Sequence, residues 1–267
     1  MSDVTIEPYV LSIVDGPVLR LTMNRGAGRN ALGMPMMEAL HAAVTGAAEN
    51  PAVRVVVIAA GGPAFCAGHD LKEMTAHRAD ADKGAAYYRA LFETCAALMQ
   101  AIVRLPKPVI AQVHGVATAA GCQLAASCDL AVAASNARFA TPGVNIGLFC
   151  STPMVALSRN VGRKAAMEML LTGEMIDAEE ARRLGLVNRL APPEALEAET
   201  LALARLIASK PHGALKTGKE AFYRQVEMPL DEAYAYTAQV MTENMLGAEA
   251  KEGIGAFVEK REPNWPA

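Results

Sequence analysis

The chain has 267 residues, a length that fits one large domain or one domain with an appendage. Hydrophobic residues make up 52% of it and aromatic residues only 5%, so a sizeable core must be filled mainly by aliphatic side chains and by 14 methionines. The net charge of −3, without a basic stripe or a polybasic tail, excludes the usual electrostatic modes of binding nucleic acid and membranes.

The first part of the chain alternates between strand and helix patterns. A β-branched run such as Val53–Ala60 is typical of a buried strand, and the spacing of Met36, Leu40 and Val44 is typical of one helix face. In chain order, the patterns predict a β-hairpin or two neighbouring strands at residues 10–14 and 18–23, a helix over 35–50, a strand over 53–60, a helix over 85–104, a strand over 109–113, a helix near 121–127 and a strand over 129–133. This alternation predicts an α/β core with mostly parallel strands.

From about Met154 onward, the sequence predicts almost only helices. Helix breaks are expected at Gly162, Gly173, Gly185, Pro192-Pro193, Pro211 and Pro229. The chain has no Gly-x-Gly-x-x-Gly motif after its first strand and no P-loop lysine motif. These absences argue against a Rossmann dehydrogenase and a P-loop NTPase.

The cysteines do not follow the spacing of a zinc site or of a redox Cys-x-x-Cys pair. There are five of them: Cys66, Cys95, Cys122, Cys128 and Cys150. An odd number without such a pattern predicts reduced thiols, no metal site and a cytoplasmic location. The N-terminal residues lack the basic and apolar segments of a secretory signal, and no apolar run reaches the ~18 residues of a membrane span.

Two junctions, each between a buried strand and a helix, consist mostly of small residues. The first is Phe65–Leu71 and the second is His114–Gln123. Small residues let a ligand approach the backbone closely, and a helix N-terminus presents free N–H groups. Two such groups aimed at one point would form an oxyanion hole. The alternative is a pair of ordinary turns that use small residues for close packing.

Several ordered motifs make the chain resemble the crotonase (enoyl-CoA hydratase/isomerase) superfamily. The motifs are Asn24-Arg25 with Asn30-Ala31-Leu32, the two junctions, Cys128-Asp129-Leu130-Ala131-Val132-Ala133, and the segments 139–147 and 178–186. They cover nearly the whole chain. The resemblance implies an α/β fold, with a crotonase-like spiral of ββα units over residues 1–199 and a helical C-terminal trimerisation region over 200–267.

The resemblance also implies an acyl-CoA thioester as substrate or ligand, with no permanently bound cofactor. The oxyanion-hole donors would be the backbone N–H groups of His69 and Ala120. The path of coenzyme A would be lined by Gly28, Arg29, Ala67, Gly68, Asp70 and Leu71, and Asp70 is also expected to cap the next helix. Phe257 and Lys260 match the pair that reaches the coenzyme A of a neighbouring subunit, so a homotrimer or a dimer of trimers is expected.

The sequence departs from the family pattern at the carboxylates that hydratases use. Gln123 stands at the position of the first catalytic glutamate, Gly143 at that of the second, and Ser151 where some isomerases and hydrolases have an aspartate. A carboxamide can orient water but cannot act as a general base near neutral pH, and glycine has no side chain. Ordinary hydratase activity is therefore not expected. The segment 142–153 resembles one branch of the family that is also poor in catalytic acids.

Three functions stay open at this point. The first is an enzyme of the enoyl-CoA hydratase/isomerase class, a lyase or isomerase, that stabilises a thioester enolate. The second is a non-catalytic acyl-CoA-binding or regulatory protein. The third is an acyl-CoA thioesterase whose nucleophile is Cys150 or Ser151, although an inert buried thiol is the simpler interpretation of Cys150.

Further side chains are expected around the active site. Gly143, Asn145, Cys150 and Ser151 would line it, and Asn145 could hydrogen-bond either a ligand or the backbone. The His69 side chain has a near-neutral pKa in its unperturbed form, which suits acid–base chemistry, but a lone loop histidine is also common as a packing residue.

Overall fold

The computed structural model describes residues 7–266. They contain two β-sheets and eleven α-helices. The strands are β1 (Val10–Asp15), β2 (Val18–Met23), β3 (Val55–Ala60), β4 (Val109–Val113), β5 (Val116–Thr118), β6 (Leu130–Ala134), β7 (Arg138–Ala140), β8 (Ile176–Asp177) and β9 (Arg189–Ala191). The helices are α1 (Met34–Glu49), α2 (Leu71–Ala76), α3 (Ala85–Arg104), α4 (Ala120–Ser127), α5 (Pro153–Asn160), α6 (Arg163–Thr172), α7 (Ala178–Leu184), α8 (Leu196–Ala208), α9 (His212–Gln225), α10 (Leu230–Met245) and α11 (Ala248–Glu259).

The larger sheet has six strands in the order β1-β2-β3-β4-β6-β9. The β1–β2 pair is an antiparallel hairpin in which Asp15 pairs with Val18, and all other pairs are parallel. All six residues of β3 are buried, since the strand lies between β2 and β4 and is covered on both faces. The predicted hairpin and the parallel α/β core are therefore confirmed.

The smaller sheet has the order β5-β7-β8. Here β5 and β7 are parallel, whereas β7 and β8 are antiparallel. Neither β5 nor β7 was predicted from the sequence, and the expectation of almost only helices after Met154 is wrong at β8 and β9. These strands have two or three residues, too few for any alternation of polar and apolar residues, and they form by pairing with segments remote in sequence.

Helices cover the larger sheet. α3 buries Leu91, Cys95, Leu98 and Ile102 along one face and packs against α1. α8 packs against β2, β3, β4 and β6. The expected boundary between residues 199 and 200 thus falls inside a helix of the core, and the environment of the chain changes only after α8.

The last three helices bury very little. α9, α10 and α11 each have one buried residue: Ala221, Ala233 and Ala256. Their exposed large apolar side chains are Phe222, Val226, Leu230, Tyr234, Met241, Met245, Leu246, Ile254, Phe257 and Val258, which together form what we call the C-terminal apolar surface. None of the helices in residues 7–266 combines the length and the apolar character that crossing a membrane requires.

Candidate active site

The buried side chain of Asn30 joins the loop after β2 to the loop after β3. Its Oδ1 accepts a hydrogen bond from the N–H of Arg25 at 2.9 Å, and its Nδ2 donates to the carbonyls of Gly61 and Ala64 at 2.8 and 2.9 Å. Asn30 has a φ of +50°, a conformation that asparagine tolerates better than most residues. From the sequence, Asn30 was identified only as part of a motif. In the structure its side chain positions the two loops relative to each other.

The first junction is bound on one side to the loop that precedes α1. The N–H of Leu32 donates to the carbonyl of Gly68 at 2.8 Å, and the N–H of Ala67 donates to the carbonyl of Arg29 at 3.0 Å. These two bonds fix the backbone immediately before His69. Arg29 and Ala67, both expected along the coenzyme A path, are therefore next to each other.

On its other side the first junction pairs with β5. The N–H of Cys66 donates to the carbonyl of Val116 at 3.1 Å, and the carbonyl of Cys66 accepts from the N–H of Thr118 at 3.0 Å. A Cβ on Gly121 would overlap the Cys66 carbonyl. The close contact between the two junctions therefore requires glycine at position 121.

Gly68 and the start of α4 are in van der Waals contact. A Cβ on Gly68 would lie 3.0 Å from the Cβ of Ala119, 3.1 Å from the oxygen of Thr118 and 3.5 Å from the nitrogen of Ala120. Gly68 also has a φ of +93°, and Ala119 has an unusual positive φ of 51°. The structure thus brings the amides of His69 and Ala120 into adjacent, tightly constrained segments.

Neither of these two amides has an acceptor within residues 7–266. Ala120 begins α4, where the first four N–H groups of a helix lack intrahelical acceptors, and the first bond of this helix runs from the N–H of Gln123 to Ala119 at 3.0 Å. Fixed, free N–H donors close together suit a developing negative charge on oxygen. This arrangement can act as an oxyanion hole.

The imidazole of His69 packs between the loop that precedes α1 and α3. Its Nδ1 lies 2.9 Å from the carbonyl oxygen of Leu32, and its ring meets the ring of Phe92 edge-on, with the centroids 5.6 Å apart. Its Nε2 is buried without a hydrogen-bond partner. Burial lowers the pKa of His69, while the Leu32 carbonyl and Glu73 act in the opposite direction. The ring is therefore neutral at neutral pH.

Gln123 is buried on α4 and faces α3. The thiol of Cys95 donates to its Oε1 at 3.8 Å. Burial raises the pKa of Cys95 to about 12, so this thiol stays protonated and can act as the donor. Because Phe92 and Cys95 lie three residues apart on one face of α3, the His69 ring and the Gln123 carboxamide contact neighbouring positions of the same helix face.

Gly143 lies in a short turn that leaves no room for a side chain. Its N–H donates to the Sγ of Cys150 at 3.3 Å. A Cβ there would lie 2.9 Å from both the Cys150 Sγ and the carbonyl oxygen of Leu148. The segment 148–150 therefore fills the space beside this position.

Asn145 and Ser151 make local contacts. The Asn145 amide reaches the carbonyl of Gly173 at 3.5 Å, so the structure favours the backbone over a ligand as its partner. Ser151 is exposed, and its hydroxyl donates to the carbonyl of Phe149 at 3.3 Å. Within residues 7–266, no histidine hydrogen-bonds to Ser151 or Cys150, and burial raises the pKa of Cys150. The thioesterase alternative therefore stays a prediction for which these two side chains have no adjacent histidine in the described part of the chain.

A cleft of about 280 Å³ lies next to Asp70, near the end of the first junction. It is lined by Tyr9, Arg25, Gly28, Ala31, Gly33, Pro35, Met36, Asp70 and Glu73. Asp70 accepts hydrogen bonds from the N–H groups of Lys72 and Glu73, which confirms its predicted role as a helix cap. Leu71, beside it, is half exposed.

Arg25 lines this cleft, although the sequence identified it only as part of the Asn24-Arg25 motif and not as a site residue. Its guanidinium stacks on the ring of Tyr9, 3.9 Å from the centroid, and donates to the carbonyls of Asn24 and Pro8 at 2.7 and 3.0 Å. Its position directly before the glycine of the loop 26–28 was the available signal. Phe257 and Lys260 lie at the end of α11, where Phe257 is 85% exposed.

The chain matches the profile of a known family along most of its length. Residues 14–267 match the family described as Enoyl-CoA hydratase/isomerase. The enoyl-CoA hydratase domain-containing protein 3, mitochondrial, of Xenopus laevis is 48% identical over 93% of this chain and 83% of that protein. The Homo sapiens protein of the same name is 45% identical over 94% of this chain and 81% of that protein. This is the branch that the segment 142–153 resembles.

Solved structures agree with the fold. A crystal structure of an enoyl-CoA hydratase from Mycobacterium smegmatis has a TM-score of 0.93 and 55% identity, over 97% of this chain and 99% of that chain. The human enoyl coenzyme A hydratase domain-containing protein 3 has a TM-score of 0.91 and 43% identity, over 96% and 100%. The expected α/β crotonase-like spiral with a helical C-terminal region is confirmed.

The expected cytoplasmic location is contradicted. The relatives from Xenopus laevis, Mus musculus and Homo sapiens are named as mitochondrial proteins. That expectation rested on unpaired cysteines, and reduced thiols do not distinguish the cytoplasm from other reducing compartments.

Proposed function

Since the chain belongs to the enoyl-CoA hydratase/isomerase family, we propose that it binds an acyl-CoA thioester and stabilises negative charge on the thioester oxygen. The observation that carries this proposal is the close packing of Gly68 on the Thr118–Ala120 backbone, next to which the amides of His69 and Ala120 have no acceptor among residues 7–266. Coenzyme A would enter along the cleft that contains Gly28 and Asp70.

Two fixed N–H donors stabilise most strongly an oxygen that gains negative charge during the reaction. When an α-proton leaves a thioester, its electron pair moves onto the carbonyl oxygen, where fixed donors stabilise it without reorganisation. Hydration needs more, because a proton must leave water and another must reach the α-carbon. With Gln123 and Gly143 at the two glutamate positions, the site offers polarisation but no carboxylate pair, and weak hydration follows.

The active assembly is proposed to be a homotrimer or a dimer of trimers. The C-terminal apolar surface has ten exposed large apolar side chains on three consecutive helices, and such a concentration is typical of an interaction surface. Phe257 and Lys260 lie at the end of this surface, where a neighbouring subunit's coenzyme A could meet them. No part of this proposal requires a resident metal or a permanently bound cofactor.

The test compares butyryl-CoA with S-butyl-CoA, a thioether that replaces the carbonyl by a methylene group. Both ligands place the same chain length in the same pocket, but only the thioester has an oxygen for the two amides. Two net hydrogen bonds predict that butyryl-CoA binds about 10-fold more tightly in isothermal titration calorimetry. Equal affinities would show that the two amides do not act on the ligand, and the proposal would fail.

A further inference from the structure

The ring of His69 combines a free buried proton acceptor with a fixed orientation. Resting on the proposed function, we propose that the His69 imidazole transfers protons in this site: its Nε2 removes the α-proton of the bound acyl thioester and returns it. The site would then exchange α-protons, and could move a double bond, without either glutamate.

The hydrogen bond to Leu32 determines which ring nitrogen is available. A backbone carbonyl can only accept, so the Nδ1 at 2.9 Å from the Leu32 oxygen must bear the hydrogen. Nε2 then has a free lone pair. Leu32 is itself held in place, since its N–H donates to the carbonyl of Gly68. The ring orientation is therefore set by the same loop contact that sets the His69 amide.

The unpartnered Nε2 calls for an explanation. Buried polar side-chain atoms nearly always have a hydrogen-bond partner, and leaving one without a partner costs free energy. Nε2 of His69 has none within residues 7–266. A group that gives it a proton would remove this cost.

In this proposal the acyl group would lie against the His69 ring, on the side that faces α3. His69 contributes both the amide that would hold the thioester oxygen and the ring, so one residue would bind the carbonyl oxygen and present Nε2 to the α-carbon next to it. Phe92 of α3 contacts the ring, and Cys95, one turn further along, contacts Gln123. The His69 imidazole and the Gln123 carboxamide thus contact the same face of α3.

The proton transfer balances within this group of residues. Nε2 accepts the proton from the α-carbon, the C–H electron pair forms the enolate, and the two amides stabilise the resulting oxyanion. The protonated ring then returns a proton to the α-carbon, or to the γ-carbon if the substrate has a double bond between its β- and γ-carbons. No oxidant, metal or second substrate is required.

The groups around the ring favour its neutral, proton-accepting form. The Leu32 carbonyl faces Nδ1, Phe92 and the protonated Cys95 belong to α3, and Glu73 of α2 is the carboxylate whose field reaches the ring. Tyr87, also on α3, has a pKa raised by burial and by Glu73, so it stays uncharged. Burial outweighs Glu73, and the pKa of His69 falls below its ordinary value of 6.5.

The experiment follows hydrogen–deuterium exchange of butyryl-CoA in heavy water by mass spectrometry. This saturated substrate cannot be hydrated or isomerised, so deuterium in the acyl group reports α-proton transfer alone. The variant His69→Asn retains the backbone amide and an N–H for the Leu32 carbonyl but has no Nε2. His41→Asn, at a half-buried position on α1, is the matched control.

We expect wild-type protein and His41→Asn to exchange the α-protons. The exchange by His69→Asn should be slower by at least about 100-fold. The wild-type rate should be level above neutral pH and fall as the pH drops through the lowered pKa of His69, since only the neutral ring accepts a proton. If His69→Asn does not fold, this pH profile and the variant His69→Gln provide the test.

Two results would overturn the inference. One is a wild-type protein that prefers butyryl-CoA over S-butyl-CoA but does not exchange the α-protons of butyryl-CoA. That result would show a protein that binds the thioester without transferring protons. The other is exchange by His69→Asn at the wild-type rate, which would assign the base to another residue. Loss of the preference for butyryl-CoA would instead contradict the proposed function itself.

Discussion

At the residue scale, the segment 148–150 determines what can stand at position 143. The carbonyl of Leu148 and the sulfur of Cys150 both lie 2.9 Å from where a Cβ would be. A carboxylate at this position would need the turn to be rebuilt. The segment 148–150 thus fills the space that a glutamate side chain at position 143 would need.

The variant Gly143→Ala should destabilise the protein by about 1–3 kcal/mol, because the added methyl group overpacks a filled site. Urea unfolding followed by circular dichroism measures this. Gly162→Ala is the control, since a Cβ at Gly162 meets no atom within 4 Å. Equal urea midpoints of unfolding for the two variants would show that the segment 148–150 moves aside at little cost in free energy.

Restoring glutamates at both positions should fail for the same reason. Gln123→Glu introduces a carboxyl group into a buried site, where desolvation raises its pKa, and Gly143→Glu cannot be accommodated. We expect the double variant to hydrate crotonyl-CoA no faster than Gln123→Glu alone, as read from the loss of enoyl absorbance. A large gain specific to the folded double variant would contradict the geometry of this turn.

Sequence reasoning anticipated the small residues around these positions but not how the side chains point. Gly68 and Gly121 stand out as glycines at strand-to-helix junctions, whereas their contact depends on the pairing of Cys66 with β5. Asn145 could not be assigned from sequence, because its partner, Gly173, is 28 residues away. The free Nε2 of His69 likewise depends on the position of the Leu32 carbonyl.

At the element scale, α9 is attached to the core by one buried ion pair. Lys219 donates to the carboxylate of Asp129 at 2.7 Å and to the carbonyls of Ile102 and Lys107, both at 3.0 Å. The hydroxyl of Tyr223 donates to the other Asp129 oxygen at 2.9 Å. All three ammonium donors are used, so this cluster fixes α9 to the core.

The variant Lys219→Met should lower the free energy of unfolding by about 3–5 kcal/mol, because it leaves the Asp129 carboxylate buried without its cation. Lys216→Met, at an exposed position of the same helix, should change it by less than about 0.5 kcal/mol. Chemical denaturation of both variants measures the difference. Similar losses for the two lysines would mean that α9 is not anchored by this pair.

Long elements were predictable and short ones were not. β3 and α3 have continuous or periodic apolar patterns, and both lie where the sequence indicated. β8 and β9 have two and three residues and exist only because β7 and β6 accept them as neighbours. This pairing is a tertiary effect that no local pattern contains.

At the scale of the whole molecule, the C-terminal apolar surface is the dominant feature. Leu230 and Leu246 on it are 75% and 83% exposed in a single chain. Association of like subunits is the simplest way to bury such a surface. We expect sedimentation equilibrium to give three or six times the chain mass.

Charges on this surface should weaken the assembly. Leu230→Asp with Leu246→Asp is expected to shift the protein toward monomer, whereas Gln100→Glu, at an exposed position on α3, should leave the mass unchanged. A double variant that retains the full wild-type mass would place the subunit interface elsewhere.

The central claim is that this member of the family stabilises a thioester oxyanion without the two glutamates of a hydratase. The most direct test is the rate of crotonyl-CoA hydration by the wild-type protein, measured beside a family hydratase that has both glutamates. Since each positioned acid or base contributes ~100- to ~10,000-fold, we predict a kcat/KM lower by about 10,000-fold or more. Hydration at an ordinary rate would contradict the account, because it would show that residues other than the two missing glutamates supply the full chemistry.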